Sequence, residues 1–316
     1  MIGRGLGLGW LPEEARRRRE MEAQLIDLLH FRGFREVGVP LLETGSEGHG
    51  PHMADGSGSV LSLRSDFTRA VSKMAVSTLA DHPRPLQLAY SGAVFRAVPG
   101  LDRGMSEIWQ VGGEVVGEQP EADSDVMALA VDGVASLSCP GEARIIIGDV
   151  SLLRELLTGV GFNAPQRRRV EALLAEGDLT GLEEHLTGTV GERDSVRALM
   201  DLLIFAGNRE ETTRRWVRAG GEADCLEPML GLGERFEDAA AYSLGLAREL
   251  DYYTGPLFVV YAGHHRVPVA QGGRYDGLLK TLGRDEPATG FGWNLDSLLL
   301  VSRHTASRVT VFPGIH

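Results

Sequence analysis

Polar side chains capable of chemistry gather in a few short stretches of otherwise apolar sequence. Leu63-Arg64-Ser65-Asp66-Phe67-Thr68 sets a carboxylate and a hydroxyl just ahead of a helical pattern. Phe95-Arg96 and Gln110-Val111-Gly112-Gly113-Glu114 add a guanidinium, an amide and a second carboxylate on strand-like segments. Arg248-Glu249-Leu250-Asp251-Tyr252-Tyr253-Thr254-Gly255 crowds charge and phenols ahead of a strand. Gly272-Gly273-Arg274-Tyr275-Asp276-Gly277 surrounds an arginine and a tyrosine with glycines, the residue that lets a backbone come close to a ligand. Each stretch alone has an ordinary structural explanation: Asp66 fits a helix cap, and polar strand residues fit a solvated face. Gln110 and Glu114, at i and i+4 of a strand, share one sheet face. Trp109, Val111, Val115 and Val116 make their segment too apolar for a solvated one. Together these groups suit a small zwitterion.

Other chemistries fail on the residues. There is no G-x-x-x-x-G-K-[ST], and Gly272-Gly273-Arg274 lies in a strand-to-turn context, so neither a P-loop nor a dinucleotide fold is expected. His49 and His52 have H-x-x-H spacing in a Gly/Ser-rich loop without a third ligand, so no metal site is expected. Cys139 and Cys225 have no histidine beside them, no G-x-S-x-G occurs, and two cysteines make neither a disulfide framework nor a zinc site. No cofactor is implied.

Composition narrows the classes further. With 32 Lys+Arg against 44 Asp+Glu, the net charge of −12 gives no basic footprint for nucleic acid. A chain of 316 residues that is 43% hydrophobic buries a core and is not disordered. No apolar run approaches the ~18 residues of a membrane span. Leu6–Leu11 is broken by glycine and followed by acids, a poor signal peptide. The chain reads as soluble and cytoplasmic.

The elements that must position these groups follow from periodicity. Pro12-Glu13-Glu14 opens a helix that runs through Met21, Leu25, Leu28 and Leu29 and stops near Gly33. Phe34–Leu42 predicts a strand ended or bent by Pro40, and Thr44–Ser59 a mobile loop or lid. Val60–Leu63 predicts a strand and Thr68–Leu79 a helix. Leu86–Arg96 and Ser106–Glu118 predict two strands joined by the loop Ala97–Met105. Asp123–Ser136 predicts a helix and Ala143–Ile147 a strand covered on both faces. From Ser151 to about Phe236 only amphipathic helices are predicted (Leu152–Leu157, Arg167–Leu174, Leu179–Leu186, Arg193–Phe205, Arg209–Ala219), a helical insertion at about 151–236. Strands resume at Leu257–Tyr261 and Val267–Ala270, and Thr289–Leu300 passes from strand to helix. Without regular βαβ alternation, the fold class is α+β.

The order and wording of these segments resemble the catalytic core of histidyl-tRNA synthetase, a class II aminoacyl-tRNA synthetase. Val39-Pro40-Leu41-Leu42-Glu43 resembles motif 1, Leu63–Thr68 the family's L-R-P-E/D-x-T, and Phe95-Arg96 through Glu114 motif 2 with its following strand. Leu250-Asp251-Tyr252-Tyr253-Thr254-Gly255 and Gly272-Gly273-Arg274-Tyr275-Asp276 resemble the two histidine-specific signatures, and Gly290-Phe291-Gly292 to Leu300 motif 3. The likeness spans about residues 11–302. It implies an antiparallel sheet flanked by helices and a dimer through the motif 1 face. It also implies a histidine pocket: Asp66, Thr68 and Gln110 on the α-amino group, Arg248 and Arg96 toward the carboxylate, Glu114 and Tyr253 on the imidazole beside Tyr252, and Tyr275 closing the site.

The departures fall elsewhere. Val98 stands where motif 2 has glutamate, Ser106 where its later arginine is expected, and Ser297 where motif 3 has its ATP-clamping arginine. Adenylation needs cations where charge develops on a polyphosphate; Arg103 is the one nearby substitute. Glu249 replaces a usual glycine. After Leu300 only Val301–His316 follow, so no anticodon-binding domain is expected within residues 1–316. A synthetase core that keeps its amino-acid pocket and loses its ATP groups resembles the regulatory subunits of ATP phosphoribosyltransferase. That resemblance implies a hetero-oligomer with a short-form catalytic subunit in the first step of histidine biosynthesis, histidine as a ligand, and no tRNA. The rivals are a minimal histidine-adenylating enzyme and a truncated tRNA-binding module.

Overall fold

The computed structural model describes residues 9–44, 50–97, 105–119, 121–137, 139, 141–246, 252–263 and 265–306. The described strands are β1 (Arg35–Glu36), β2 (Leu42–Thr44), β3 (His52–Ala54), β4 (Val60–Leu63), β5 (Leu86–Ala97), β6 (Met105–Val116), β7 (Ala143–Asp149), β8 (Ala240–Tyr242), β9 (Pro256–Ala262), β10 (Pro268–Arg274) and β11 (Ala288–Asn294). An eight-stranded sheet runs β1-β5-β6-β11-β10-β9-β7-β8, and a three-stranded sheet runs β2-β4-β3. The centre of the large sheet is antiparallel, as the α+β reading expects. Its two edges are not: β1 pairs parallel with β5 and β8 parallel with β7. Each edge strand is separated in sequence from its neighbour by other elements, the long crossover that parallel pairing requires.

The segment predicted as one strand, Phe34–Leu42, divides at Pro40. Arg35–Glu36 joins the large sheet and Leu42–Thr44 the small one. Proline gives no N–H to a ladder, and the Arg64 guanidinium bridges the gap, donating to the carbonyls of Val39 (2.9 Å) and Ala93 (2.8 Å). Thr44–Ser59 is also not all loop, because His52–Ala54 pairs with β4. His49 and the loop residues 98–104, with Val98 and Arg103, lie outside the described residues.

The helices are α1 (Pro12–Phe31), α2 (Thr68–Val76), α3 (Ala122–Ser136), α4 (Val150–Gly159), α5 (Ala164–Glu176), α6 (Leu179–Val190), α7 (Arg193–Leu203), α8 (Arg209–Arg218), α9 (Glu227–Leu232), α10 (Asp276–Thr281) and α11 (Leu295–Ala306). None is long and apolar enough to cross a membrane. Side chains α4 to α9 bury, such as Leu157, Leu173, Leu186 and Leu199, belong to the same core as α1 and α3. Local chemistry starts these helices: Asp149 accepts from the backbone N–H groups of Ser151 and Leu152, and Asn163 and Gln166 form a reciprocal capping box.

Alternation along the strands divides the sheet into two faces. Val111 and Val115 of β6 and Phe291 and Trp293 of β11 pack with Leu25, Leu29, Met127 and Ala130 of α1 and α3. Leu88, Tyr90 and Val116 face the other way, into a smaller core with Phe67, Val71, Tyr275 and Leu278 beside α2 and α10. Glu114 and Gln110 belong to this second face, beneath α2.

Trp293 anchors α3 to the first face. Its ring is fully buried, stands edge-on to Phe291 and donates from Nε1 to the Ala130 carbonyl at 2.8 Å. α3 passes over it at Gly133, where a Cβ would lie 2.2 Å from the indole. Gly133→Ala is therefore expected to cost about 1–3 kcal/mol of stability through overpacking. Urea denaturation checks this, and a loss below about 0.5 kcal/mol, an ordinary surface value, would contradict the packing account.

Candidate functional site

The polar groups converge on Glu114 of β6, whose carboxylate is completely buried. Tyr275 Oη donates to its Oε2 at 2.6 Å and Thr68 Oγ1 to its Oε1 at 2.8 Å. Its neighbours in the sheet explain how a carboxylate fits there. Gly290 lies directly opposite Glu114 on β11, and Gly273 lies beside Gly290 on β10. A Cβ at Gly290 would sit 1.7 Å from Glu114 Oε2, so only glycine lets the glutamate lie flat and meet the phenol of Tyr275. Burial pushes the Glu114 carboxyl up to about 8, against the lowering effect of the Tyr275 and Thr68 hydroxyls; Asp66 adds to the rise.

The other candidate residues surround this centre. Asp66, at the start of α2, accepts from the Arg69 backbone N–H (3.1 Å) and from Ser65 Oγ (3.2 Å), so one of its oxygens does the work of a helix cap. Gln110, on the same face as Glu114, donates from Nε2 to Tyr90 Oη at 3.2 Å. Tyr252 packs against Tyr253 at 5.1 Å and edge-on to Tyr275 at 5.9 Å, with all three rings buried. Burial holds the phenols of Tyr252 and Tyr275 well above their ordinary range, so both stay protonated hydrogen-bond donors. Arg96 is half-buried on β5 and donates from Nε to the Ser65 carbonyl at 3.1 Å, beside Asp66. Arg248, with Glu249 to Asp251, lies outside the described residues. Asp66, Thr68, Gln110, Glu114, Tyr252, Tyr253 and Tyr275 are thus brought together, with Arg96 at their edge.

Tyr90 belongs to the same site but carries no motif in the sequence. It is fully buried, stacks on Phe67 at 4.2 Å and faces Gly112 across the β5–β6 pair. The available signal was Gly112 itself: a glycine between Gln110 and Glu114 on one face leaves room for a large ring from the next strand. A separate cavity of about 320 Å³ lies on the opposite face of the sheet, lined by Val115, Ala122, Arg274 and Thr289.

Comparison with known proteins gives this geometry its context. The family model for histidyl-tRNA synthetase matches residues 9–298. An ATP phosphoribosyltransferase regulatory subunit of Symbiobacterium thermophilum is 34% identical, covering 96% of this chain and 80% of that protein. The histidine–tRNA ligase of Methanocaldococcus jannaschii is 29% identical, covering 92% and 73%. The crystal structure of an ATP phosphoribosyltransferase regulatory subunit/histidyl-tRNA synthetase from Bacillus halodurans C matches with a TM-score of 0.81 at 28% identity, covering 96% of this chain and 83% of that one. The chain belongs to the histidyl-tRNA synthetase family, on its ATP phosphoribosyltransferase regulatory subunit branch.

Its class II synthetase-like fold agrees with that membership, and so do the places where the resemblance sees lost cations. Ser106 on β6 is buried, its hydroxyl without a hydrogen-bond partner among the described residues, and Ser297 in the first turn of α11 is buried with its backbone N–H on Asn294 Oδ1 at 3.0 Å. Neither side chain offers a positive charge.

The raised Glu114 carboxyl makes stability depend on pH. The folded chain keeps a proton there that the unfolded chain, with a carboxyl near 4.5, gives up. The group's contribution is therefore greatest below pH about 4.5 and is lost as pH rises to about 8, after which it is constant. Glu114→Gln removes this titration. Relative to wild type, its stability should rise from pH about 4.5 to about 8 and then level off. Denaturation curves across that range check the trend, and a pH-independent difference would contradict the buried protonated carboxyl.

Proposed function

We propose that this chain is the non-catalytic regulatory subunit of a cytoplasmic ATP phosphoribosyltransferase, supporting a short-form catalytic subunit in the first step of histidine biosynthesis, and that its Glu114 pocket takes free histidine. The carrying observation is a division among the groups that the fold places around the large sheet. The polar groups of the amino-acid pocket are present and converge, while buried serines stand at the positions of the phosphate-binding arginines. With serine at the two arginine positions, Ser106 and Ser297, the cations that would meet charge developing on a polyphosphate are missing there, and the chain does not adenylate histidine. Its acidic balance also gives transfer RNA no electrostatic footing.

The pocket's chemistry matches histidine group by group. An imidazole N–H aimed at Glu114 stabilises the ionised carboxylate, and a ring that takes up the proton gives that buried charge its partner. Asp66 and Gln110 supply acceptors for the ammonium, Arg96 supplies a cation for the carboxylate, with Arg248 a second by the resemblance alone, and the tyrosines supply flat apolar walls. The lining residues Asp66, Gln110, Glu114, Tyr252, Tyr253 and Tyr275 are each less than a tenth exposed. The whole chain is one synthetase-like core with the helical segment of about 151–236 inserted. Leu41, Leu42, Met53 and Val60 leave exposed apolar side chains on and beside the small sheet, which supports self-association of two copies through the motif 1 face.

Three measurements test this reading. Mixed with a short-form catalytic subunit, the chain should raise turnover of ATP and phosphoribosyl pyrophosphate, while alone it should show no histidine-dependent pyrophosphate exchange. Equal turnover without it, or robust exchange by the pure chain, would overturn the regulatory assignment. Calorimetry should detect histidine binding, weakened by about 1–3 kcal/mol in Glu114→Gln or Asp66→Asn, as for loss of a charge-assisted hydrogen bond. No heat with wild type, alone or in the complex, would remove histidine from the pocket.

A further inference from the structure

The hydrogen bonds of Tyr90 have a direction that the structure determines. Its hydroxyl lies 3.1 Å from the backbone carbonyl oxygen of Phe291 and 3.2 Å from Gln110 Nε2. A carbonyl only accepts, so the phenolic proton goes to Phe291. Glu114 lies near enough to act on the phenol and takes the Tyr275 and Thr68 hydroxyls, but the donor geometry of the Tyr90 hydroxyl is met at the Phe291 carbonyl. Tyr90 oxygen is then left as an acceptor toward Gln110, and the amide must turn its NH₂ to the phenol. Turned the other way, Gln110 Oε1 would meet the phenol's lone pairs, and its NH₂ would face the incoming ligand.

The chain of contacts is sterically protected. A Cβ at Gly112 would lie 2.2 Å from the Phe291 oxygen and 2.6 Å from Tyr90 Oη, and one at Gly292 would lie 2.0 Å from Gln110 Nε2. The Tyr90 ring is held by its stack on Phe67 at 4.2 Å and 9°. Among the described residues, Gln110 Oε1 accepts no hydrogen bond, and it is the atom left to face a ligand.

We propose that Tyr90 is a positioning residue that locks the Gln110 amide with Oε1 toward the ligand, and so makes the pocket select α-amino acids over their des-amino analogues. An outward oxygen accepts from an ammonium group; an outward NH₂ would repel it. This inference rests on the histidine reading of the pocket and adds to it the residue that reads the amino group. Tyr90→Phe removes the hydroxyl while keeping the ring and its stack.

The test compares wild type and Tyr90→Phe by calorimetry with histidine and with 3-(imidazol-4-yl)propionate, and follows the Gln110 side-chain amide by ¹⁵N–¹H NMR. The variant should bind histidine about five- to ten-fold more weakly, and the analogue less than about two-fold more weakly. The Gln110 NH₂ resonances, assigned by their loss in Gln110→Met, should shift and exchange faster with solvent in Tyr90→Phe. Equal weakening of both ligands, or none, would overturn the selectivity role, and unchanged amide resonances would overturn the locking itself. If wild type binds neither compound, the histidine reading fails and the selectivity role with it; the resonances, which need no ligand, still decide whether Tyr90 holds the amide.

Discussion

A carboxyl group with no exposure to water, hydrogen-bonded to two hydroxyls, is the constraint around which this protein is arranged. Burying Glu114 is costly unless its oxygens are hydrogen-bonded, and the Tyr275 and Thr68 hydroxyls meet that need. For the phenol to arrive, β10 must end beside β6 with only β11 between them, and β11 must carry glycine where it passes the glutamate. For the threonine to arrive, α2 must begin above the same strand, with Asp66 just before it capping the first turn. The sheet order, the glycines and the placement of α2 are thus parts of one requirement.

The two faces of the sheet divide the labour. One is ordinary core, where Trp293, Phe291 and the valines of β6 pack under α1 and α3. The other carries tyrosines, an amide and carboxylates within a small apolar cluster beside α2 and α10. A rigid packed face behind a polar one fixes side-chain positions more tightly than loops would. The side chains at Ser106 and Ser297 are neutral, while carboxyl, amide and phenol groups come together around Glu114.

Much of this was legible in the residues. The start of α1 at Pro12, the long β5–β6 pair and the shared face of Gln110 and Glu114 follow from local periodicity and i,i+4 spacing. What was not legible depends on partners far away in sequence. The break at Pro40 needed Arg64 to take over the Val39 carbonyl, β3 exists only because β4 lies beside it, and the parallel edges depend on crossovers. The resemblance reads Thr68 as a group for the ligand's amine; its hydroxyl also donates to Glu114 across the α2–β6 contact, a long-range bond no local pattern shows, and keeps its lone pairs as acceptors. Tyr90 carried no motif, and its importance comes from facing Gly112 and reaching Phe291 on a strand two places away.

The most direct test of the central claim is the ionisation of Glu114 itself, followed by ¹³C NMR of its side-chain carboxyl with and without histidine. The account predicts a signal of a protonated acid at neutral pH that titrates near 8 and moves to the carboxylate position when histidine is added. Titration near the ordinary 4.5, or a signal indifferent to histidine, would contradict it.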